Sequence, residues 1–110
     1  MHDFVVYIVT NPTKTVLYTG ITNGIAQRLV EHYMEKGKPS TFAGKYYCYN
    51  LLFYEGYQYV EDAIAREKEI KKWRRAKKKA LITNFNPKWE FLNNNILDWP
   101  PREQFHRKDL

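Results

Sequence analysis

The chain predicts a small α/β fold of the α+β kind: a three-stranded, mainly antiparallel sheet flanked by helices, in the order ββαβα. Three observations carry this expectation. Two β-rich runs, residues 4–10 and 15–20, flank a four-residue turn holding Asn11 and Pro12, which is a hairpin signal. Two segments of helical character sit on either side of an aromatic and aliphatic run at residues 50–54. The connections are short, and no internal repeat or low-complexity linker interrupts them.

The first strand reads Phe4-Val5-Val6-Tyr7-Ile8-Val9-Thr10 and is apolar on both faces, which suits the centre of a sheet. If Thr10 faces Thr15, residue 9 pairs with 16, 8 with 17 and 7 with 18. Tyr7 and Tyr18 are then directly opposed on one face, with Cβ atoms roughly 5 Å apart. Gly20 ends the second strand and lets the backbone turn closely toward a ligand, or simply serves the turn. Thr22 or Asn23 caps a first helix over about residues 24–36, with Gly37 as its stop. On that helix Ile25, Ala26, Leu29, Val30 and Tyr33 share an apolar arc, and Arg28 and His32, one turn apart, lie together on its polar edge.

Residues 37–46, with Gly37, Pro39, Ser40 and Gly44, read as a loop. Residues 50–54 form the third strand, ended by Gly56. A longer second helix runs from about residue 60 to 80. It is entered past Glu61 and Asp62 and left through three lysines, the charge order that a helix dipole favours. The run from Asn84 to Leu92 docks aromatic side chains on the core. Residues 1–92 are expected to form the functional domain, and residues 93–110, which pass through Trp99-Pro100-Pro101, an irregular and partly mobile C-terminal tail.

Composition narrows the function classes. At 110 residues the chain is one domain with room for a real core. No run approaches the roughly 20 apolar residues of a membrane span. The N-terminal Met-His-Asp-Phe lacks a basic region ahead of its short apolar run, so no signal peptide is expected and a cytoplasmic location is the default. A single cysteine, Cys48, excludes an intramolecular disulfide and a multi-cysteine zinc site. The net charge is +6, and nine of the 18 basic residues fall between Arg66 and Lys79. That run is either a solvated helix face laced with Glu/Lys pairs or a surface that tracks phosphates, with Trp73 available for stacking.

The residues able to carry chemistry stand on the two helices and the hairpin. On the second helix, Val60, Ala63, Ile64 and Ile70 form one apolar stripe, and Glu67 falls within it. A carboxylate there needs compensation, because an unpaired buried charge is strongly unfavourable. The compensator is a metal ion, or an Arg or Lys from a neighbouring element such as Arg28. One carboxylate supplemented by waters and phosphate oxygens suits Mg²⁺. Arg28 and His32 beside the paired tyrosines can bind a phosphate and handle a proton. A tyrosine acts as a base only if its pKa, about 10, is lowered or a neighbour relays the proton, and His32 and Lys45 are the candidates for that help.

Together these residues resemble the GIY-YIG nuclease family. Val6-Tyr7-Ile8 stands at the first motif and Tyr18-Thr19-Gly20 at the second. The continuation Gly20-Ile21-Thr22-Asn23 and the spacing to Arg28 and His32 are similar to the compact single-domain bacterial members, endonucleases related to the N-terminal domain of excinuclease C. Glu67, in Arg66-Glu67-Lys68-Glu69-Ile70-Lys71-Lys72-Trp73, matches the family's metal-binding glutamate, and Asn86-Pro87-Lys88-Trp89 resembles the ending of these small members. The resemblance covers about residues 3–92. The first motif lacks its glycine, Thr19 replaces isoleucine in the second, and Asn84 and Asn86 compete for the place of a later asparagine.

The resemblance implies an endonuclease that hydrolyses DNA phosphodiester bonds with Mg²⁺ or Mn²⁺, serving DNA repair or recombination. The alternative is a nucleic-acid-binding module on the same scaffold that does not cleave. The implied site comprises Tyr7, Tyr18, Arg28, His32 and Glu67. Glu67 is the metal ligand, and Lys45, Lys71, Lys72, Arg74 and Arg75 hold the DNA backbone. Neither a membrane nor an obligate protein partner is implied.

Overall fold

A computed structural model describes residues 3–102, so Met1, His2 and residues 103–110 of the expected tail lie outside the described residues. The strand β1 (Phe4–Thr10) is central, with β2 (Leu17–Thr22) antiparallel on one side and β3 (Asn50–Tyr57) antiparallel on the other. Between β2 and β3 come α1 (Ile25–Met34) and the single turn α2 (Phe42–Lys45). After β3 come α3 (Val60–Lys72), α4 (Arg75–Phe85) and a 3₁₀ turn at Asn93–Asn95. The expected α+β sheet with flanking helices is the observed architecture.

Both faces of the sheet are covered, which is why β1 carries apolar residues in both directions. Val6 and Ile8 point to a core shared with Leu52, Phe53, Ala63, Ile70 and Ile82, under α3 and α4. Tyr7 and Val9 point to the opposite core with Leu29, Ala43, Cys48 and Leu51, under α1 and α2. The pairing of β1 with β3 skips a residue: Ile8 faces Phe53 and Val9 faces Leu51. Leu52 is therefore the extra residue of a β-bulge, which lets two successive residues, Leu52 and Phe53, enter the same core.

The hairpin is wider than the expected four-residue turn. Asn11 organises it with its side chain: Oδ1 accepts from the backbone N–H of Thr15 (2.8 Å) and of Val16 (3.0 Å). Thr10 Oγ1 donates to the Val16 carbonyl at 2.7 Å. Strand pairing is thus delayed until Leu17, which faces Thr10, and Tyr18 faces Val9 while Tyr7 faces Gly20. Relative to the expected register the partner moves by two residues. A shift of two preserves the face, so Tyr7 and Tyr18 remain on one side as diagonal neighbours.

Other boundaries differ for identifiable reasons. Gly20 and Gly56 do not end their strands; each is paired within the sheet, opposite Tyr7 and Val5. The loop at 37–46 contains α2, whose cap Thr41 accepts from Gly44 N–H at 3.0 Å. The long second helix is two helices, because Trp73 and Arg74 take extended backbone angles. The Trp73 ring packs against the α3/α4 core, with Arg66 and Lys77 over its ring. Among the stripe residues Ala63 and Ile70 are buried, whereas Val60 and Ile64 are exposed.

Residues 93–99 come back to the sheet. Asn93 is buried; its Oδ1 accepts from Leu51 N–H (2.8 Å) and its Nδ2 donates to the Tyr49 carbonyl (2.9 Å). Ile96, Leu97 and Trp99 pack against the α1/α2 core. Among the described residues no helix is long and apolar enough to cross a membrane.

Candidate active site

The site forms at the β2 edge of the sheet, where α1 approaches from one face and α3 from the other. Gly20 makes this edge reachable from the central strand. A Cβ on Gly20 would lie 2.5 Å from Tyr7 Cζ and Oη, so the Tyr7 ring crosses β2 through the space that only glycine leaves. The Tyr7 hydroxyl there meets His32 of α1, with Oη 2.8 Å from Nε2 in a buried hydrogen bond. Tyr18 closes the group: its ring centroid lies 6.5 Å from Tyr7 and 5.6 Å, edge-on, from His32.

Electrostatics follow from this burial. Desolvation pushes the Tyr7 phenol well above its ordinary value of 10; Tyr18, Glu31 and Glu67 add to the rise and Arg28 opposes it. His32 is lowered from 6.5 to about 4, chiefly because burial disfavours the imidazolium and secondarily because Arg28 is near. The pair at neutral pH is therefore a phenol and a neutral imidazole. A standing tyrosinate is disfavoured, and the help available to Tyr7 is relay through His32.

Arg28 is held in part and unsatisfied in part. Its Nη1 is 3.1 Å from Glu31 one turn along α1, while its Nε is buried without a hydrogen-bond partner among the described residues. Such a donor is costly to leave empty, which fits a site that receives an anion. Arg28 also lines a hollow of about 310 Å³ with Phe4, Ile21, Val60 and Ile64, so the two exposed apolar residues of α3 border the site rather than enter the core.

Glu67 faces the same edge from α3. Its side chain is 14% exposed, and it is compensated from its own helix: Lys71 Nζ lies 2.9 Å from Oε2. Of the two expected compensators, a metal ion or a cation from a neighbouring element such as Arg28, the second is replaced by a lysine on the next turn of the same helix. Among the described residues no three His, Cys, Asp or Glu side chains gather. A metal at this edge would take Glu67 as its protein carboxylate and complete its shell with water and phosphate oxygens, a hard-oxygen set that fits Mg²⁺ or Mn²⁺.

The structure thus gathers Tyr7, Tyr18, Arg28, His32 and Glu67, and adds two residues to them. Glu31 pairs with Arg28, legible from its i, i+3 spacing; Lys71, expected only as a backbone contact, belongs to Glu67. Lys45 stands apart, exposed on α2 with Nζ 5.3 Å over the Tyr46 ring, and it is not among the charges acting on Tyr7. Lys72 and Arg74 are exposed at the α3–α4 corner, whereas Arg75 donates to the Thr15 carbonyl at 2.9 Å and tethers α4 to the hairpin. Of the two competing asparagines, Asn84 is exposed. Asn86 is buried, donates to the carbonyls of Leu52 and Glu90, and accepts from Glu90 N–H.

No curated protein and no solved structure matches the chain. The family model of the GIY-YIG catalytic domain matches residues 3–80, a span that runs from the start of β1 into α4 and contains every residue gathered at this edge. The fold is of the nuclease type, and the chain belongs to the GIY-YIG family.

Proposed function

We propose that this protein is a divalent-metal-dependent endonuclease that hydrolyses DNA phosphodiester bonds. The observation that carries the reading is the buried Tyr7–His32 hydrogen bond at an edge shared with an unsatisfied arginine donor and a nearly buried carboxylate. A solvated structural cluster has no need of that combination, whereas phosphate-ester hydrolysis has a use for each part: the pair for a proton, the arginine for developing charge and the carboxylate for an ion.

Glu67 would hold the ion, which when bound supplies Lewis-acid polarisation of the phosphate and stabilises the leaving oxygen. The protein's own residues handle the nucleophile. With His32 Nε2 unprotonated, the Tyr7 hydroxyl donates to it and presents its lone pairs to water. As the water attacks phosphorus, its proton passes to Tyr7 Oη and the Tyr7 proton passes to His32 Nε2. The incoming phosphodiester offsets the positive charge of Arg28, one of the two causes that depress His32, so proton affinity rises when substrate is bound. Arg28 donates from Nε to the phosphate as charge builds, and Tyr18, beside Tyr7 and His32, orients the phosphate. Lys72 and Arg74 hold the backbone without reading bases.

The resemblance to small relatives of excinuclease C supports a place in DNA repair or recombination. The test is a cleavage assay on duplex, single-stranded and branched DNA with Mg²⁺ or Mn²⁺. Cleavage that stops on chelation and returns with added ion is the expected result. DNA binding without cleavage in either ion contradicts it and leaves a binding module on the same scaffold.

A further inference from the structure

We propose that Phe42 and Tyr46 form a stacking platform for unpaired nucleobases beside the cleaved phosphate, so that the strand entering the site is single-stranded there. This rests on the nuclease reading and adds the form of its substrate.

Phe42 is 51% exposed and Tyr46 39%, two large rings that contribute little to the core. Looseness of α2 does not explain them. Ala43 and Gly44 on the same turn are buried, and a Cβ on Gly44 would strike the carbonyl oxygens of Glu35 and Lys38 at 2.7 and 2.8 Å. The turn is anchored by its small residues while its aromatics face outward. The two rings are 4.8 Å apart, and Phe42 stacks on Tyr18 at 6.1 Å with an interplanar angle of 26°. Tyr18 in turn touches His32 and lies under Lys71, the partner of Glu67. A line of rings thus leads out of the site, with Lys71 at one end and Lys45 over Tyr46 at the other.

Aromatic faces interleaved with cations bind single strands, because every base offers a ring face and every nucleotide a charge. Paired bases are already stacked on one another inside a duplex and cannot lie on these rings. The chemistry selects unpaired bases with an intact backbone.

Binding measured by fluorescence anisotropy in EDTA tests this with three probes of equal length: a single-stranded DNA, the same strand with abasic sites throughout, and a duplex. The wild type should bind the base-bearing strand roughly tenfold or more tighter than the abasic strand. Phe42→Ala/Tyr46→Ala should erase that margin and Phe42→Trp should keep it, with circular dichroism reporting the fold. Equal binding of base-bearing and abasic strands by the wild type overturns the platform even if the double variant fails to fold. A margin that survives in a folded double variant overturns it as well. Failure to bind the base-bearing strand overturns it too; in every case the nuclease reading is decided separately, by cleavage with Mg²⁺ or Mn²⁺.

Discussion

The contact between Tyr7 and His32 sets the behaviour of single residues here, because burying it fixes the ionisation of both partners. Folded His32 takes up a proton only near pH 4, whereas an unfolded histidine does so near 6.5. Between these values the unfolded chain holds a proton that the folded chain lacks, so stability is present in full above pH 6.5 and falls as pH drops toward 4. The loss is on the order of 3 kcal/mol. Denaturation midpoints across that range should show the slope, and His32→Gln should flatten it. Gly20 is the other decisive position. Gly20→Ala places a methyl group in the buried Tyr7 ring, which should cost about 1–3 kcal/mol of stability and more in cleavage rate than in binding. Thermal denaturation and single-turnover kinetics check the two parts. The shared face of the tyrosines was legible because strand side chains alternate with period two. The register was not, because a side chain, Asn11, rather than a strand preference sets where pairing begins.

At the scale of elements, the outline ββαβα was readable from hydrophobic period and turn residues, and β1 was correctly central. The α3–α4 break was hidden because Trp73-Arg74 carries neither Gly nor Pro; a tertiary contact, Trp73 against the core, overrides local preference. Glu67 was conspicuous in sequence for falling within the apolar stripe of Val60, Ala63, Ile64 and Ile70, and its side chain is nearly buried there. Ala63 and Ile70 of that stripe enter the core, whereas Val60 and Ile64 border the Arg28 hollow. Arg28 is half-exposed on the edge of α1, so Arg28→Ala should keep the fold and lower the cleavage rate by about 10²–10³, the cost typical of a lost transition-state donor. Arg28→Lys should not restore it, since a point charge cannot reproduce the guanidinium fork. Rate measurements with circular dichroism on both variants decide this. The polar composition of residues 93–95 concealed a role in packing: Asn93 reads as surface until its two bonds to the backbone around β3 are seen. Asn93→Ala should cost about 1–3 kcal/mol by leaving the Leu51 N–H unsatisfied, measurable by denaturant titration.

The whole molecule carries a net charge of +6, and its basic residues run without an acidic neighbour from Lys71 to Lys79, through the end of α3 and the start of α4. Binding to DNA should weaken steeply with salt, and Lys72→Ala and Arg74→Ala should each reduce the slope of log K against log salt by about one. Arg75→Ala should change stability more than slope, because its guanidinium is engaged with the hairpin. Charge brings the backbone to the edge, but the central claim is that this edge cleaves it, and Glu67 is where that claim is most exposed. The most direct measurement compares wild type with Glu67→Gln for cleavage and for DNA binding in the same preparation, with Mg²⁺ or Mn²⁺. The account predicts that cleavage is abolished while binding is retained or tightened, since an acidic group is lost beside Lys71. Cleavage by Glu67→Gln at the wild-type rate would contradict it.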